Sequence, residues 1–229
     1  MHEYTGLVAF DLETTGLDKK KDQPVSYALV WEGPGGNREE YSIVTPTVPI
    51  SEDSIAKHGI TEEIAATGIP LTDALRSIGN ALLDARRGGE LLIGMNISFD
   101  LTILDNQLRS SFGKGLLEKG WNGPVMDVYV IDRLFGAPRS GPRDLEALCS
   151  HYGATLANAH NALGDAQATL DLAKIQLARY PRLRDMSPAE LLHIQRRGHL
   201  KWLRNLNDYR IENSSEPIDI PDGWPIDHE

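Results

Sequence analysis

Three short runs rich in β-branched and aromatic residues crowd the first 45 positions: 6–12, 25–31 and 39–45. The stretches between them, DKKKDQP and EGPGGN, carry the Gly, Pro and Asp of tight connections. This pattern predicts a three-strand antiparallel meander. After an irregular stretch over 46–70, with short helical pieces near Ser51–Lys57 and Thr61–Ala66, the periodicity changes. Leu71, Leu75, Ile78, Leu82 and Leu83 are spaced as on an amphipathic helix over 71–86, with Thr72 as its N-cap. ELLIG at 90–94 reads as a buried strand, followed by a helix from about Ser98. PVMDV at 124–128 reads as a further strand, and helices follow over 143–152 and 161–179. Strands first, then strands alternating with helices, imply an α/β layer architecture with the meander on one edge of a mixed sheet.

A boundary is expected at Tyr180-Pro181, dividing a domain over 1–180 from an extension over 181–229. In the extension, Ser187, Pro188 and Glu190 form a capping-box signature for a C-terminal helix, which Gly198 is expected to disturb. The closing SSEPIDIPDGWPIDHE is Pro-rich and acidic, and is expected to be extended or disordered unless it packs on the domain.

No run of about 18 apolar residues is present, so no membrane span is expected. The N-terminus lacks a basic, cleavable apolar leader, so secretion is not expected. The one cysteine, Cys149, excludes an intramolecular disulfide and a cysteine zinc cage, which fits a cytoplasmic setting. It reads as a small buried helix residue. The net charge of −10 argues against a general electrostatic film for long nucleic acid, although bound cations can reverse the sign locally. Residues 179–210 hold eight Lys or Arg against three acids, and 211–229 hold six acids and no Lys or Arg. The basic helix could guide a nucleic-acid strand or pair with the acidic tail and domain; the second is the expectation.

Two carboxylates interrupt the first apolar run. Asp11 and Glu13, two apart in a strand, leave the same face, while Phe10 and Leu12 take the other. Adjacent carboxylates both stay ionised only beside a cation, and an all-oxygen donor set suits Mg²⁺ or Mn²⁺. On their own the pair fits a metal site or two strand-end acids in water equally well. Asn96, Phe99 and Asp100 follow the 90–94 strand, at the kind of strand end where ligands gather in α/β folds. Asp100 equally fits an acid stabilising a helix N-terminus. His160 and Asp165 are five residues apart, about 140° around one helix. They converge only if His160 lies on the loop before the helix that carries Asp165, which would suit the histidine to proton transfer.

Taken together, FDLETTGL, NISFD and HNALGD resemble, in order and spacing, the three motifs of the DEDDh (DnaQ-like) 3′→5′ exonuclease family, whose fold is ribonuclease H-like. The resemblance spans roughly 7–178, and HGIT at 58–61 resembles the family's substrate loop. Gly94-Met95-Asn96 departs from the Gly-His-Asn of many relatives, which implies altered packing or nucleotide contact. The resemblance implies that Asp11, Glu13, Asp100 and Asp165 hold two divalent ions, Mg²⁺ or Mn²⁺, with Asp11 bridging. His160 would be the general base. Thr14, Thr15 and Gly16 would meet the terminal sugar, Leu17 would wedge against the terminal base, and His58, Asn96 and Phe99 would contact the substrate. The implied activity is release of nucleoside 5′-monophosphates from the 3′ end of single-stranded DNA, in proofreading or end trimming, with a polymerase or replication protein as partner. Trimming of RNA is the alternative enzyme reading, and a catalytically silent nucleic-acid-binding module of a replication assembly is the alternative of another class.

Overall fold

The computed structural model describes residues 4–157 and 159–227. The meander forms as expected: β1 (Leu7–Thr14), β2 (Pro24–Glu32) and β3 (Arg38–Thr45) pair antiparallel. Two short helices follow, α1 (Glu52–His58) and α2 (Glu62–Ala65), capped by the side chains of Ser51 and Thr61. A two-residue strand, β4 (Ile69–Pro70), extends the β3 edge in parallel and was not apparent from the sequence. Next come α3 (Leu71–Gly88), β5 (Leu91–Gly94), α4 (Ser98–Phe112) and β6 (Val125–Asp127). The sheet order is β4-β3-β2-β1-β5-β6, with β5 and β6 parallel to β1. Thus β1 is interior and hydrogen-bonded on both sides.

Helices cover both faces. Val8, Phe10 and Leu12 pack with Leu75, Ile78 and Leu82 of α3 and Leu101 and Leu104 of α4. Ala9, Ala28 and Ile93 face the other layer. That layer contains α5 (Val128–Phe135), α6 (Leu145–Tyr152), α7 (Ala162–Arg179), α8 (Pro181–Asp185) and α9 (Pro188–Glu212). Cys149 is buried in α6, and burial pushes its thiol pKa up to about 11, which makes it a packing residue.

Three sequence expectations change. Thr72 is not the cap of α3: Pro70 occupies that position with no side-chain cap bond, and Leu71 opens the helix. Residues 128–135 are helical, although no helix was expected there. The Asp127 side chain caps α5 directly from the end of β6, so strand passes into helix without a loop. Gly198 does not disturb α9, which runs unbroken through it. A Cβ at this position would collide with the Leu134 side chain, so the glycine allows close helix packing. The expected capping box at Ser187 and Glu190 is formed.

The extension packs into the sheet layers. Leu183 and Leu191 join the β-sheet core on the α7 side. Gln195 is fully buried; its Oε1 accepts the Asp127 N–H at 2.8 Å and its Nε2 donates to the Val125 carbonyl at 2.8 Å. The tail returns across the opposite layer, where Trp224 and Ile226 are buried. Asn207 holds the Ile218 backbone through two hydrogen bonds, and the Asp227 N–H donates to Thr102 Oγ1 at 3.0 Å. The last two residues of the tail lie outside the described residues. Among the described residues, no salt bridge joins Arg196, Arg197, Lys201 or Arg204 to the tail or the domain, contrary to the pairing expected for them.

Because these contacts complete the core, a chain truncated after Tyr180 is expected to lose cooperative unfolding in a urea titration. Gln195→Ala leaves two buried backbone groups without their partner and is expected to cost about 2–4 kcal/mol in the same measurement. A truncated chain as stable as the full one would show that 181–229 contributes nothing to the fold.

Candidate active site

The site begins where β1 leaves regular pairing. Asp11 and Glu13 project on the face opposite Leu12, and the β1–β2 register shifts between Glu13 and Thr14. This irregularity turns the chain into a tight loop. Thr14 Oγ1 donates to the Gly16 carbonyl at 2.8 Å, and Thr15 Oγ1 donates to Asp22 Oδ1 at 2.6 Å. A Cβ at Gly16 would lie 2.5 Å from that carboxylate, so a larger residue there would have to displace Asp22 from its bond to Thr15. The loop ends with Leu17, which is 81% exposed, an apolar side chain presented to solvent beside the carboxylates.

Asp100 lies in the first turn of α4. Pairing between β1 and β5 ends at Ala9 and Ile93, and the buried Asp100 Oδ1 then accepts the Leu12 N–H at 3.0 Å. The carboxylate therefore replaces the missing strand. The turn before α4 is held from β6: Asp127 accepts the N–H groups of Asn96 and Ile97 at 3.0 and 3.2 Å, along with those of Tyr129 and Val130. Asn96 has a φ of 54°, a left-handed conformation that Asn tolerates better than most residues. Burial pushes the Asp127 pKa up to about 6 despite these four donors.

Asp165 lies in the first turn of α7, which Asn161 caps. His160 sits on the loop before that cap, exposed, with a φ of 64°. This is the arrangement in which the two residues can converge. His58 Nδ1 accepts the Ile60 N–H at 3.0 Å, which assigns the proton to Nε2, 3.3 Å from the Thr14 carbonyl. The ring thereby ties α1 to the loop after β1, and burial depresses its pKa.

One cavity of about 340 Å³ gathers these elements. Asp11, Glu13, Asp100, His160 and Asp165 all line it, as do Thr14, Leu17, His58, Asn96 and Phe99. Thr15 and Gly16 line an adjoining hollow instead. Oxygens of Asp11, Glu13 and Asp165 lie within 4.8 Å of one another; Asp100 lies outside this set. Sequence reasoning missed Lys57 and Ser54 of α1 and Asp144, the N-cap of α6. Lys57 is the next residue before the HGIT segment, but nothing in its local pattern shows that it reaches the acids.

The electrostatics are those of an unneutralised acid cluster. Burial first, then Asp100, Glu13 and Asp165, raise the Asp11 pKa well above the carboxylate range, and Lys57 only partly opposes this. Burial raises Glu13 to about 7, again against Lys57. Asp100 is raised well above its ordinary value, and Asp165 is raised less because His160 opposes the effect of burial. The Asp165 Oδ1 is buried without any hydrogen-bond partner. A buried acceptor in that state costs about 1–3 kcal/mol unless a ligand satisfies it. Oxygen-only donors, mutual repulsion and an unsatisfied buried oxygen all fit a hard divalent cation.

A model of the RNase T exonuclease family matches residues 8–173. A DNA polymerase III subunit epsilon-like protein from Rhodobacter capsulatus is 29% identical over 207 residues, 87% of this chain and 27% of that protein. The PolC-type DNA polymerase III of Lacticaseibacillus paracasei is 28% identical over 163 residues, 71% of this chain and 10% of the polymerase. The chain thus spans about a quarter or less of these relatives. Escherichia coli exonuclease I, in complex with a dA16 oligonucleotide, has a similar fold. The TM-score is 0.67 at 21% identity, covering 79% of this chain and 42% of that one. Among the described residues, no helix is long and apolar enough to cross a membrane.

Without metal, the acid cluster gives stability a definite pH dependence. The folded Glu13 pKa of about 7 lies above its ordinary 4.5. The folded state then binds more protons, so this stabilisation is complete below 4.5 and is lost as pH rises through about 7. In EDTA the melting temperature is expected to fall between about pH 5 and pH 8. Millimolar Mg²⁺ or Mn²⁺ should raise it more at the higher pH. A metal-induced shift that is the same at both pH values would contradict binding by these carboxylates.

Proposed function

The chain belongs to the RNase T exonuclease family, in the DnaQ-like, ribonuclease H-like superfamily, and from that premise we propose that it is a divalent-metal-dependent 3′→5′ exonuclease. Its substrate in this reading is single-stranded DNA, shortened from the 3′ end to nucleoside 5′-monophosphates in proofreading or end trimming. The observation that carries the reading is the gathering of Asp11, Glu13 and Asp165 within 4.8 Å, with one buried oxygen left unsatisfied.

Asp11, Glu13 and Asp165 would hold one divalent ion, and Asp100 with Asp11 would help to hold a second. When bound, two such ions stabilise the attacking and leaving oxygens of a phosphoryl displacement. A ring nitrogen of His160 takes the proton from the attacking water and, being on an exposed loop, returns it to solvent. The backbone of Thr14, Thr15 and Gly16 meets the terminal sugar, while Leu17 presses on the terminal base. His58 keeps this loop in place through the Thr14 carbonyl. Asn96 and Phe99 contact the strand next to the scissile bond.

DNA is favoured over RNA because the relatives are DNA polymerase III proteins and the exonuclease I neighbour was solved with a deoxyoligonucleotide. The same relatives make a polymerase or replication protein the expected partner and the cytoplasm the expected setting. End-labelled DNA and RNA oligonucleotides of one sequence, incubated with Mg²⁺, test the assignment. Mononucleotide release from DNA, proceeding from the 3′ end, is the expected result, and faster release from RNA would reverse the substrate order.

Asp11→Asn and Asp165→Asn are each expected to reduce activity below a few per cent of wild type while retaining the far-UV circular dichroism spectrum. Their melting temperatures in EDTA should equal or exceed that of wild type, since each removes a repelling charge. Substantial residual cleavage in either variant would show that the ion is held elsewhere.

A further inference from the structure

The carboxylate cavity continues past Phe99. Met95, Asn96, Phe99 and Asp144 also line an adjoining cavity of about 680 Å³. Part of its wall comes from Tyr129 and Arg133 of α5. Lys19 and Arg143 line it as well, and six lining residues lie outside the family-matched region, among them His199 and Trp202 of α9 and Ile218 of the tail.

Arg133 is the unusual group in this wall. Its guanidinium carbon lies 3.9 Å from the Trp202 ring centroid and 4.6 Å from that of Tyr129. Its Nη2 donates to the Tyr129 hydroxyl at 2.7 Å, and its buried Nε has no partner. Among the described residues no carboxylate pairs with it, whereas Lys19 pairs with Asp227 and Arg143 with Asp132. His199 beside it stays neutral, since burial and Arg133 push its pKa down to about 4. The cavity is not uniformly basic, because Asp144 and Asp219 also line it.

A guanidinium fixed on two aromatic faces loses little conformational freedom on binding, and its planar fork matches the oxygens of a phosphate. A strand whose 3′ end occupies the carboxylate cavity must leave it, and this cavity opens directly from it. Half-buried Phe99 and Trp202 offer the aromatic surface on which bases stack without sequence preference. We propose that this groove carries the substrate strand upstream of the scissile bond. Arg133 contacts a backbone phosphate beyond the scissile one, and the C-terminal extension supplies the opposite wall. The strand's direction rests on the exonuclease reading; the phosphate contact does not. The exposed cations of α9, Arg196, Arg197, Lys201 and Arg204, do not line the groove and take no part.

The test compares Arg133→Met, close in length but uncharged, with Arg133→Lys, which keeps the charge without the fork. Two substrates are used with Mg²⁺: thymidylyl-(3′→5′)-thymidine, which contains only the scissile phosphate, and an oligothymidylate of about eight nucleotides. Binding of the same oligonucleotide, fluorescein-labelled at its 5′ end, is read by anisotropy on the Asp165→Asn background. Arg133→Met is expected to raise KM and Kd for the longer strand roughly tenfold, as for loss of one charge-assisted phosphate contact. The slope of log Kd against log salt should fall by about 0.7. Dinucleotide hydrolysis should stay within about twofold of wild type, with Arg133→Lys intermediate on the longer strand. An unchanged KM and Kd for the longer strand would overturn the proposal, as would equal losses on both substrates. If wild type hydrolyses neither substrate, the exonuclease reading fails, and the anisotropy difference alone decides the groove. Should Arg133→Met not fold, Arg133→Lys decides: an affinity for the longer strand equal to wild type would overturn the forked phosphate contact.

Discussion

Carboxylates gathered at the end of the interior strand of a packed sheet set the terms for the rest of this structure. Burial raises the free energy of each ionised form, and every neighbouring acid raises it further. Lys57 alone does not compensate, since Glu13 remains near 7 and Asp11 is also raised well above its ordinary value. Such a cluster persists only if the surrounding scaffold cannot relax away from it. Placing Asp11 and Glu13 on an interior strand achieves this, because β1 is fixed by β2 on one side and β5 on the other. Asp100 then takes over the Leu12 N–H where β5 stops. A carboxylate with a structural hydrogen bond is held in position before any cation arrives.

The same logic runs outward from the site. Asp100 depends on the turn at Asn96 and Ile97, which the Asp127 carboxylate holds through two backbone N–H groups. Asp127 in turn has its own N–H bound by Gln195, from the helix that follows the family-matched region. Ile97, Asp100, Asp127 and Gln195 are buried, so their bonds are made in a medium where an unmade partner is costly. The extension therefore bears on the site twice, by holding β6 in place and by forming one wall of the groove beside the carboxylates.

Where structure depended on local pattern, the sequence was readable. The meander followed from three β-rich runs and two turn-rich links, and α7 lies within the helix expected over 161–179. All five motif residues and most of the expected substrate contacts line one cavity. What could not be read depended on partners distant in sequence. VYVIDRLF has β-branched residues that suit a strand, and it is helical because Asp127 caps it at the point where β6 ends. Gly198 reads as a helix breaker until Leu134 of α5 is seen to need its empty Cβ position. Lys57 and Arg133 belong to no pattern along the chain; one reaches the acids from α1, and the other is fixed by Trp202 some 70 residues later.

A chain with a net charge of −10 has the wrong overall sign for a polyanion, and its site concentrates acids further. The resolution lies in how steeply screening separates distance regimes. Beyond about 10 Å, exposed charges are largely hidden from an approaching strand at ordinary salt. Within contact range, the field is set by whichever groups are fixed and unpaired. Lys19 and Arg143 are already matched by carboxylates, so they contribute little. Among the described residues Arg133 has no carboxylate partner, and the proposed divalent cation would turn the carboxylate cluster from repulsive to attractive. Recognition then depends on two short-range features placed side by side. Under the proposed function, such a site would grip the middle of a long strand weakly and would grip specifically an end that can enter the cavity.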